Sequence, residues 1–311
     1  MQADDAAPRA LLVFVDGIGF GRPGAHNPFT DAPTRVLGRL GGEPGTACDP
    51  RILWGAVDAT LGHPGLPQSA TGQATIFTGH DAIALVGGHL SGFPTPSVAK
   101  LLGEHSFLRR ARDAGRRAGF LNAFDTRSIA RLAAGGDHRK RKPSASTLAA
   151  LAGGGLLSTI EDAFEGRAAT FDVTGEICNG LGFRAPRVSI EAAARAVALG
   201  ARSLEVALFE MFLTDKAGHA QDIGFARREI LRTDSFLAAL FDATIDDPSQ
   251  LVVVTSDHGN LEDLSTSSHT RSLVPLLAWG GFGAGGAASV IDGATSLLDV
   301  APRLLRAAAI W

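Results

Sequence analysis

The segment Val254-Thr255-Ser256-Asp257-His258-Gly259-Asn260 joins the end of an apolar run to an acid, an imidazole and a glycine. The run itself, Leu251 to Thr255, is apolar and β-branched, which predicts a buried strand. Open α/β sheets bind their ligands at the carboxyl ends of their strands. Asp257 and His258 are therefore candidate metal ligands, although one such pair is a weak signal by itself.

Two other apolar runs end in a similar way. Ala10 to Val15 is followed by Asp16, and the strand-like segment Ser203 to Thr214 is followed by Asp215 and His219. An Asp and a His four residues apart can share one side of a helical turn, and this ligand pair suits Zn²⁺ or Mn²⁺. The simpler interpretation of Asp16 alone is an acid in a turn. The glycines that follow it do not form G-x-G-x-x-G, so we reject a dinucleotide-binding loop.

A serine provides a candidate nucleophile. Ser69 follows a proline-containing loop and precedes a run that can form a helix. The structural interpretation is that Ser69 is the N-cap residue of that helix. The functional interpretation is that a hydroxyl at the positive end of the helix dipole stabilises an anion or an alkoxide. Thr71 is the alternative hydroxyl.

The last candidate ligand, His269, precedes the apolar run Leu273 to Trp279. A lone histidine is more often a packed or surface group than a ligand. Several acids and histidines here repeat the same placement beside predicted strand ends, and this many ligands indicate two metal ions rather than one. The candidates are Asp16, Ser69, Asp215, His219, Asp257, His258 and His269.

Composition limits the other classes of function. A chain of 311 residues forms one large domain or two modest ones, and a net charge of −3 argues against a general nucleic-acid binder. Cys48 and Cys178 do not suggest a disulfide framework, and no apolar run is long enough to span a bilayer. The first residues lack the pattern of a signal peptide. We therefore expect a cytoplasmic protein without membrane or nucleic-acid partners, and no pattern indicates an oligomeric state.

The sequence pattern changes in a region that lies between two Gly- and Pro-containing segments. We interpret residues 91–188 as an inserted cap or substrate domain, and residues 1–90 and 189–311 as the metal-binding core. The basic run at 137–142 is either a solvated face or a grip for an anionic substrate. Two arginines one helical turn apart are weaker candidates for the same role. The candidate substrate-binding residues are Arg127, Arg131, Arg139, Lys140 and Arg141.

Five segments of the chain, in their order, resemble the metalloenzyme branch of the alkaline phosphatase superfamily, which includes cofactor-independent phosphoglycerate mutase and phosphopentomutase. The resemblance covers about residues 8–90 and 200–311. It implies an α/β fold of the alkaline phosphatase type, a three-layer sandwich with a mostly parallel central sheet, plus a smaller inserted α/β cap. The segments are Asp16–Gly19, Ser69–Gly72, Asp215–His219, Ser256–Asp263, and His269–Thr270 followed by Val274–Leu276.

The resemblance also implies a site with two divalent metal ions, Mn²⁺ or Zn²⁺, with Mg²⁺ as a further candidate. It implies that Ser69 is the nucleophile that accepts the phosphoryl group, because coordination to a metal lowers the pKa of a hydroxyl. One metal would be held by Asp215, His219 and His269. The other would be held by Asp16, Asp257, His258 and the oxygen of Ser69.

Two features depart from the named relatives, and a third argues against a sulfatase. The inserted segment is shorter than the phosphotransferase domain of phosphoglycerate mutase and closer in size to the cap of phosphopentomutase. Gln73 stands where both mutases have a histidine. Cys48-Asp49-Pro50-Arg51 is similar to the sulfatase modification motif, but its spacing is one residue short and it is separate from the Ser69 segment, so we do not expect a sulfatase.

We therefore expect a two-metal phosphoryl-transfer enzyme, either a phosphatase or a phosphomutase, that acts on a small phosphate ester through a serine. A mutase must exclude water from its phosphorylated intermediate, whereas a hydrolase must admit it. One alternative is a metal-dependent esterase or peptidase. Another is a catalytically silent metal-binding protein on the same scaffold.

Overall fold

The computed structural model describes residues 7–42, 49–133, 142–152, 156–281 and 286–310. Its strands are β1 (Arg9–Val15), β2 (Leu53–Val57), β3 (Ala118–Phe124), β4 (Leu156–Thr159), β5 (Val206–Met211), β6 (Gln250–Thr255) and β7 (Val274–Gly280). They form one seven-stranded sheet in the order β2-β7-β6-β1-β5-β3-β4. Only β7 runs antiparallel to its neighbours, β6 and β2.

Helices cover both faces of this sheet. They are α1 (Ser69–Thr78), α2 (Ala82–Val86), α3 (Pro96–His105), α4 (Phe107–Asp113), α5 (Thr126–Ala133), α6 (Ala145–Ala152), α7 (Ile160–Phe164), α8 (Glu176–Gly180), α9 (Ile190–Arg202), α10 (Leu213–Ala220), α11 (Ile223–Thr244), α12 (Ala287–Ile291) and α13 (Val300–Ala307). Short 3₁₀ turns occupy Gly38–Gly41 and Leu297–Asp299. None of the helices in the described ranges is long and apolar enough to cross a membrane.

The three central strands are apolar along almost their whole length because both of their faces are covered. Side chains alternate along a strand, so successive residues of β1 enter different cores. Leu12 and Phe14 pack with α1, α3 and α13 on one side of the sheet. Leu11 and Val13 pack with α9 and α11 on the other side. The result is a three-layer α/β sandwich, which confirms the predicted fold class.

The segment 91–188 shares both the sheet and the core with the rest of the chain. Its strand β3 pairs with β5, and β4 continues the sheet as an edge strand. Leu102 of α3 and Phe107 of α4 lie in the same apolar cluster as Phe77 of α1. Boundaries at residues 91 and 188 would separate the hydrogen-bonded strands β3 and β5, and the division into a core and an inserted cap stays a prediction. Only a small cluster around Ile160 and Cys178 packs apart from the two main cores.

The segment Pro33–Leu40 could form a helix by its sequence, but it consists of bends and the start of one 3₁₀ turn. A distant carboxylate explains the difference, because Asp234 on α11 accepts hydrogen bonds from the backbone N–H groups of Arg35, Val36 and Leu37. These groups therefore do not take part in a helix in this segment. The signal for this replacement lies about two hundred residues away in the sequence, at the partner acid.

Candidate metal centre

The carboxyl ends of three adjacent parallel strands bring the candidate ligands together. In the sheet, β1 lies between β5 and β6, and Val15 is in register with Met211 while Phe14 is in register with Thr255. Asp16 therefore leaves β1 beside the ends of both neighbours, and its backbone N–H donates to the carbonyl of Met211 over 2.9 Å. The sequence-based expectation that these acids meet at one edge of the sheet agrees with this register.

One group of side chains, the outer cluster, consists of Asp215, His219 and His269, whose ligand atoms lie within 4.8 Å of one another. The Nε2 atoms of the two histidines are 3.2 Å apart. His219 Nε2 lies 3.3 Å from Asp215 Oδ2, and His269 Nε2 lies 3.7 Å from Asp215 Oδ1. A tetrahedral ion with bonds of about 2.0–2.1 Å separates its ligands by about 3.3 Å, so these spacings suit one shared cation.

Backbone carbonyls orient both histidines of the outer cluster. His219 Nδ1 lies 2.7 Å from the carbonyl oxygen of Ser267, and His269 Nδ1 lies 2.9 Å from that of Pro67. A carbonyl only accepts, so each Nδ1 must carry the hydrogen, and each Nε2 then presents a lone pair. Two lone pairs that face each other at short range repel unless a cation lies between them. Metal-binding histidines use this same arrangement of the second ring nitrogen.

The second group, the inner cluster, consists of Asp16, Asp257 and His258, which are all buried. His258 Nε2 lies 3.5 Å from Asp16 Oδ1 and 3.4 Å from Asp257 Oδ2. The two clusters meet where the rings of His258 and His269 stack, with centroids 3.6 Å apart and planes inclined by 14°. Two adjacent groups of carboxylate and imidazole ligands are therefore present, as two-cation sites require.

Burial makes the inner cluster electrostatically unfavourable without a positive charge. Burial and the neighbouring Asp257 carboxylate raise the pKa of Asp16 well above its usual range. Burial and repulsion from Asp215 raise the pKa of Asp257 to about 7. Burial and the nearby His269 lower the pKa of His258 to about 3, so this imidazole is neutral and can donate its lone pair.

Several buried atoms of the inner cluster have no hydrogen-bond partner among the described residues. They include Oδ1 of Asp16, Oδ1 of Asp257 and Nδ1 of His258. Unpaired polar atoms are costly in a protein interior and most native ones have partners. A divalent cation would pair with the carboxylate oxygens and remove the repulsion between them. The ligand types of both clusters therefore fit Zn²⁺ or Mn²⁺.

Ser69 is the first residue of α1, whereas the N-cap residue is Gln68. The expectation that Ser69 caps the helix is therefore wrong by one position. Its hydroxyl instead faces the inner cluster, with Oγ 3.0 Å from His258 Nε2. The alternative hydroxyl, on Thr71, is fully buried, where it donates to the carbonyl of Gln68 and accepts from the N–H of Leu90. Thr71 therefore has a structural partner on each side.

Gln73 links the two acids of the inner cluster. Its Nε2 donates to Asp257 Oδ2 over 3.1 Å and lies 3.4 Å from Asp16 Oδ2. From the sequence, Gln73 is only a departure from the mutases, and this role was not predicted. The available signal was its spacing, because residues four apart on a helix share one face and Ser69 precedes Gln73 by four.

Two residues of the opening segment and its neighbourhood support the ligands. Asn260 Nδ2 donates to Asp215 Oδ1 over 2.7 Å and thereby connects the segments that carry the two clusters. Glu262 Oε2 accepts the backbone N–H of Asn260 over 2.8 Å. Gly218 lies against the Asn260 side chain, where an added Cβ would come within 2.6 Å. The glycine in Asp215-Lys216-Ala217-Gly218-His219 is therefore required by packing.

The structure does not place the arginine and lysine candidates for substrate binding at the metal clusters. Arg127 is mostly exposed on α5 and lies 3.6 Å from Asp125. Arg131 belongs to the same helix, but its side chain is outside the described part of the chain. Arg139, Lys140 and Arg141 also lie outside the described residues. Their role in substrate binding stays a prediction.

A model of the Metalloenzyme superfamily matches residues 8–309, so the chain belongs to this superfamily. Its fold is similar to that of the PH0037 protein from Pyrococcus horikoshii, at 15% identity and a TM-score of 0.57, with 98% of each chain covered. It is similar to alkaline phosphatase from the Antarctic bacterium TAB5, at 16% identity and a TM-score of 0.54, with 98% of this chain and 99% of the other covered.

A further similarity is to Thermus thermophilus alkaline phosphatase, at 14% identity and a TM-score of 0.56, with 98% of this chain and 92% of the other covered. No curated protein sequence matches the chain. At these identities the likeness concerns the fold, and it agrees with the predicted membership of the alkaline phosphatase-like metalloenzymes.

Proposed function

We propose that the protein is a two-metal phosphomonoesterase that transfers the phosphoryl group of a small phosphate ester to Ser69 and then to water. The observation that carries this proposal is the position of the Ser69 hydroxyl. It lies at the start of α1 and 3.0 Å from His258 Nε2, at the edge of the inner cluster. A phosphoryl group bound at this point would also lie at the positive end of a ten-residue helix.

Two divalent cations, when bound, lower the pKa of a coordinated hydroxyl and offset charge on the phosphoryl oxygens. The chain supplies the remaining parts. His258 Nε2 lies 3.0 Å from Ser69 Oγ, and Asp16 and Asp257 lie beside the same nitrogen, so His258 would orient the serine oxygen for in-line attack on phosphorus. The Ser69 Oγ–P bond forms while the bond from phosphorus to the ester oxygen breaks, and the proton of the Ser69 hydroxyl passes to the leaving alcohol. Water then attacks phosphorus, the Ser69 Oγ–P bond breaks, and a proton from this water restores the Ser69 hydroxyl as phosphate leaves.

Access of water supports hydrolysis over a mutase reaction. The His219 side chain in the outer cluster is 45% exposed, and Asp215 is also partly exposed. In the described part of the chain, β3 and β4 lie in the central sheet beside β5 and do not form a separate layer over the metal clusters. A hydrolase needs solvent at the second step, whereas a mutase must keep it out. Turnover in ¹⁸O-labelled water is expected to place label in the released phosphate. Isomerisation of a bisphosphate or sugar phosphate without label would instead indicate a mutase.

The decisive variant is Ser69→Ala. We expect its turnover of phosphomonoesters to fall by about 10³-fold or more, since single losses of a nucleophile have effects of this size. Metal content, measured by inductively coupled plasma mass spectrometry, is expected to stay near two equivalents. Thr71→Ala is the matched control, because it removes a hydroxyl two residues away that faces structural partners. Full activity in Ser69→Ala would remove this serine from the mechanism.

A substrate panel separates the remaining alternatives. Phosphomonoesters, phosphodiesters, carboxylic esters and peptides are assayed with Mn²⁺ and with Zn²⁺. Faster hydrolysis of carboxylic esters or peptides would indicate an acyl-transfer enzyme. Binding of two metal ions without turnover of any compound would indicate a silent metal-binding protein.

A further inference from the structure

A cavity of about 220 Å³ lies at the carboxyl ends of β3 and β5, beside the strands that carry the metal ligands. Five of its fourteen described lining residues are phenylalanines, and we call it the phenylalanine pocket. The rings belong to Phe120, Phe124, Phe171, Phe183 and Phe212. No residue of either metal cluster and none of the five basic candidates is among its described lining residues, so the pocket was not foreseen in the sequence.

The pocket has an ordered apolar wall. The rings of Phe171 and Phe212 stack with centroids 5.0 Å apart and planes inclined by 22°. Phe120 and Phe124, both on β3, are in contact with centroids 5.7 Å apart. Phe171, Phe183 and Phe212 are each only partly buried, so one side of the pocket is open. Binding pockets for small molecules combine an apolar lining of this kind with a few polar groups.

Two carboxyl groups line the pocket, those of Asp125 and Glu210, and only Glu210 is buried. Glu210 on β5 is only 8% exposed, and its Oε2 accepts a hydrogen bond from the Ser146 hydroxyl over 2.5 Å. The Asn122 side chain fixes the backbone at this point. It donates to the carbonyl of Glu210 over 2.8 Å and accepts its N–H over 2.7 Å. The amide of Asn122 thus bonds to the backbone of Glu210, and the Glu210 carboxyl is the buried acceptor in the lining, whereas Asp125 and Ser128 are partly exposed.

The pocket adjoins the metal centre through two of its residues. Glu210 is in register with Phe14 of β1, two residues before Asp16. Phe212 is the N-cap residue of α10, the helix that carries Asp215 and His219. A molecule whose phosphate lies at Ser69 can therefore extend along the end of β5 toward the pocket.

We propose that the phenylalanine pocket binds the alcohol part of the substrate, and that the preferred substrates are phosphate monoesters of compact ring-containing alcohols with an amine or hydroxyl donor directed at Glu210. This inference rests on the proposed phosphomonoesterase function. The size is adequate, since an apolar cavity of about 150 Å³ in another protein holds benzene. An aromatic wall favours a planar group, because ring pairs gain from stacked or edge contacts beyond simple burial.

The same lining disfavours sugar phosphates. A sugar ring presents several hydroxyl groups, and each would lose its bonds to water on entering an apolar pocket. The donors and acceptors of Asn122 are already paired with backbone. The hydroxyls of Ser144 and Thr147 bond to each other over 2.9 Å. Asp125 and Ser128 also line the pocket but are partly exposed, so the buried part of the pocket offers a ligand the acceptor of Glu210, which suits a ring alcohol with one donor.

The test compares kcat/KM for three esters: 3-(aminomethyl)benzyl phosphate, benzyl phosphate and methyl phosphate. We expect the amine-bearing ring ester to be preferred over methyl phosphate by about a hundredfold, as buried apolar groups in enzyme pockets give factors of this order. Phe171→Ala is expected to lower the ratio of benzyl to methyl phosphate about tenfold. Phe183→Leu, a milder change, is expected to lower it in the same direction. The control is Phe164→Ala, whose ring is 64% exposed and does not line the pocket.

A binding measurement distinguishes failure of this inference from failure of the proposed function. Benzylamine binding to the metal-loaded wild type is followed by saturation-transfer NMR, and we expect Phe171→Ala and Glu210→Gln to weaken it. Equal turnover of all three esters, with ratios unchanged in both pocket variants, would overturn the pocket assignment and leave the phosphatase in place. Absence of any phosphomonoester turnover would overturn the function, whether or not benzylamine binds.

Discussion

The inner and outer clusters use the same ligand chemistry at different depths. Asp16, Asp257 and His258 are all buried, whereas the His219 side chain of the outer cluster is 45% exposed. Removing a carboxylate from water is costly unless an opposite charge is close. The inner cluster therefore depends on its cation for electrostatic balance, while solvent partly screens the outer one. The two sites are expected to differ in metal affinity, in exchange rate and in the effect of each ligand.

The largest effect should follow loss of a ligand in the inner cluster. Asp257→Asn removes one buried negative charge and keeps the side-chain shape. We expect loss of one metal equivalent and a fall in turnover of more than about 100-fold, because even indirect supports of metal ligands cost 10–100-fold. Metal content and kcat are measured on the same preparation. Asp263→Asn, in the same loop and partly exposed, is the control. Retention of two equivalents by Asp257→Asn would contradict the assignment.

The outer cluster should tolerate loss of a ligand better. His219→Ala is expected to release one metal equivalent and leave the other bound, since the inner cluster does not use this imidazole. Turnover should fall by about 10- to 100-fold and recover in part at high metal concentration, because a half-exposed site exchanges with solvent ions. The measurement is a metal titration of activity, with His26→Ala as an exposed control. A variant that keeps both ions after dialysis would show that His219 is no ligand.

Both clusters of the metal centre could be predicted in part from the sequence. The ligands follow short apolar strands, and parallel strands align their carboxyl ends, so Asp16, Asp215 and Asp257 could be placed together from local patterns. The division into two clusters came from the resemblance, and the geometry agrees with it. Asn260 could not be given a role in advance, because its bond to Asp215 joins residues 45 positions apart.

The segment 91–188 shows the opposite case. Its Gly- and Pro-containing flanks suggested an independent domain, yet β3 joins the central sheet beside β5. Local Gly and Pro content indicates where turns occur, whereas the pairing of a strand depends on which edge of the sheet is free to accept it. The phenylalanine pocket was missed for the same reason. Phe124, Phe171, Phe183 and Phe212 are separated widely in the sequence and meet only when β3 and β5 pair.

A smaller effect is expected for a residue that supports the inner cluster without binding metal. Gln73→Leu keeps the volume but removes the Nε2 donor shared by Asp16 and Asp257. We expect metal affinity at the inner site to fall about 10-fold, at the lower end of the range for such supports. A titration with Zn²⁺ in the presence of a competing chelator measures it. Gln250→Leu, which is buried far along the same sheet, is the control. An unchanged inner-site affinity would limit Gln73 to packing.

The last effect concerns stability rather than metal binding or turnover, and it arises beside the inner cluster at Glu210. Burial raises the pKa of Glu210 from 4.5 to about 7. An unfolded glutamate ionises near pH 4.5, so the folded state holds its proton more tightly. The resulting stability is fully present below pH 4.5 and is lost as the pH rises through 7. Glu210→Gln resembles the protonated form, so its free energy of unfolding should fall less across this window. Between pH 4.5 and pH 8, the wild type should lose up to about 3 kcal/mol more unfolding free energy than Glu210→Gln.

Urea unfolding of the metal-loaded protein at pH 5, 6, 7 and 8 tests this expectation. Glu104→Gln serves as the control, because Glu104 is exposed on α3. The unfolding free energy of this variant should depend on pH as that of the wild type does. Parallel curves for wild type and Glu210→Gln would mean that Glu210 is ionised throughout. In that case bound cations, rather than a proton, would neutralise the acids around the inner cluster, and the dependence on a cation would extend one strand beyond the ligands themselves.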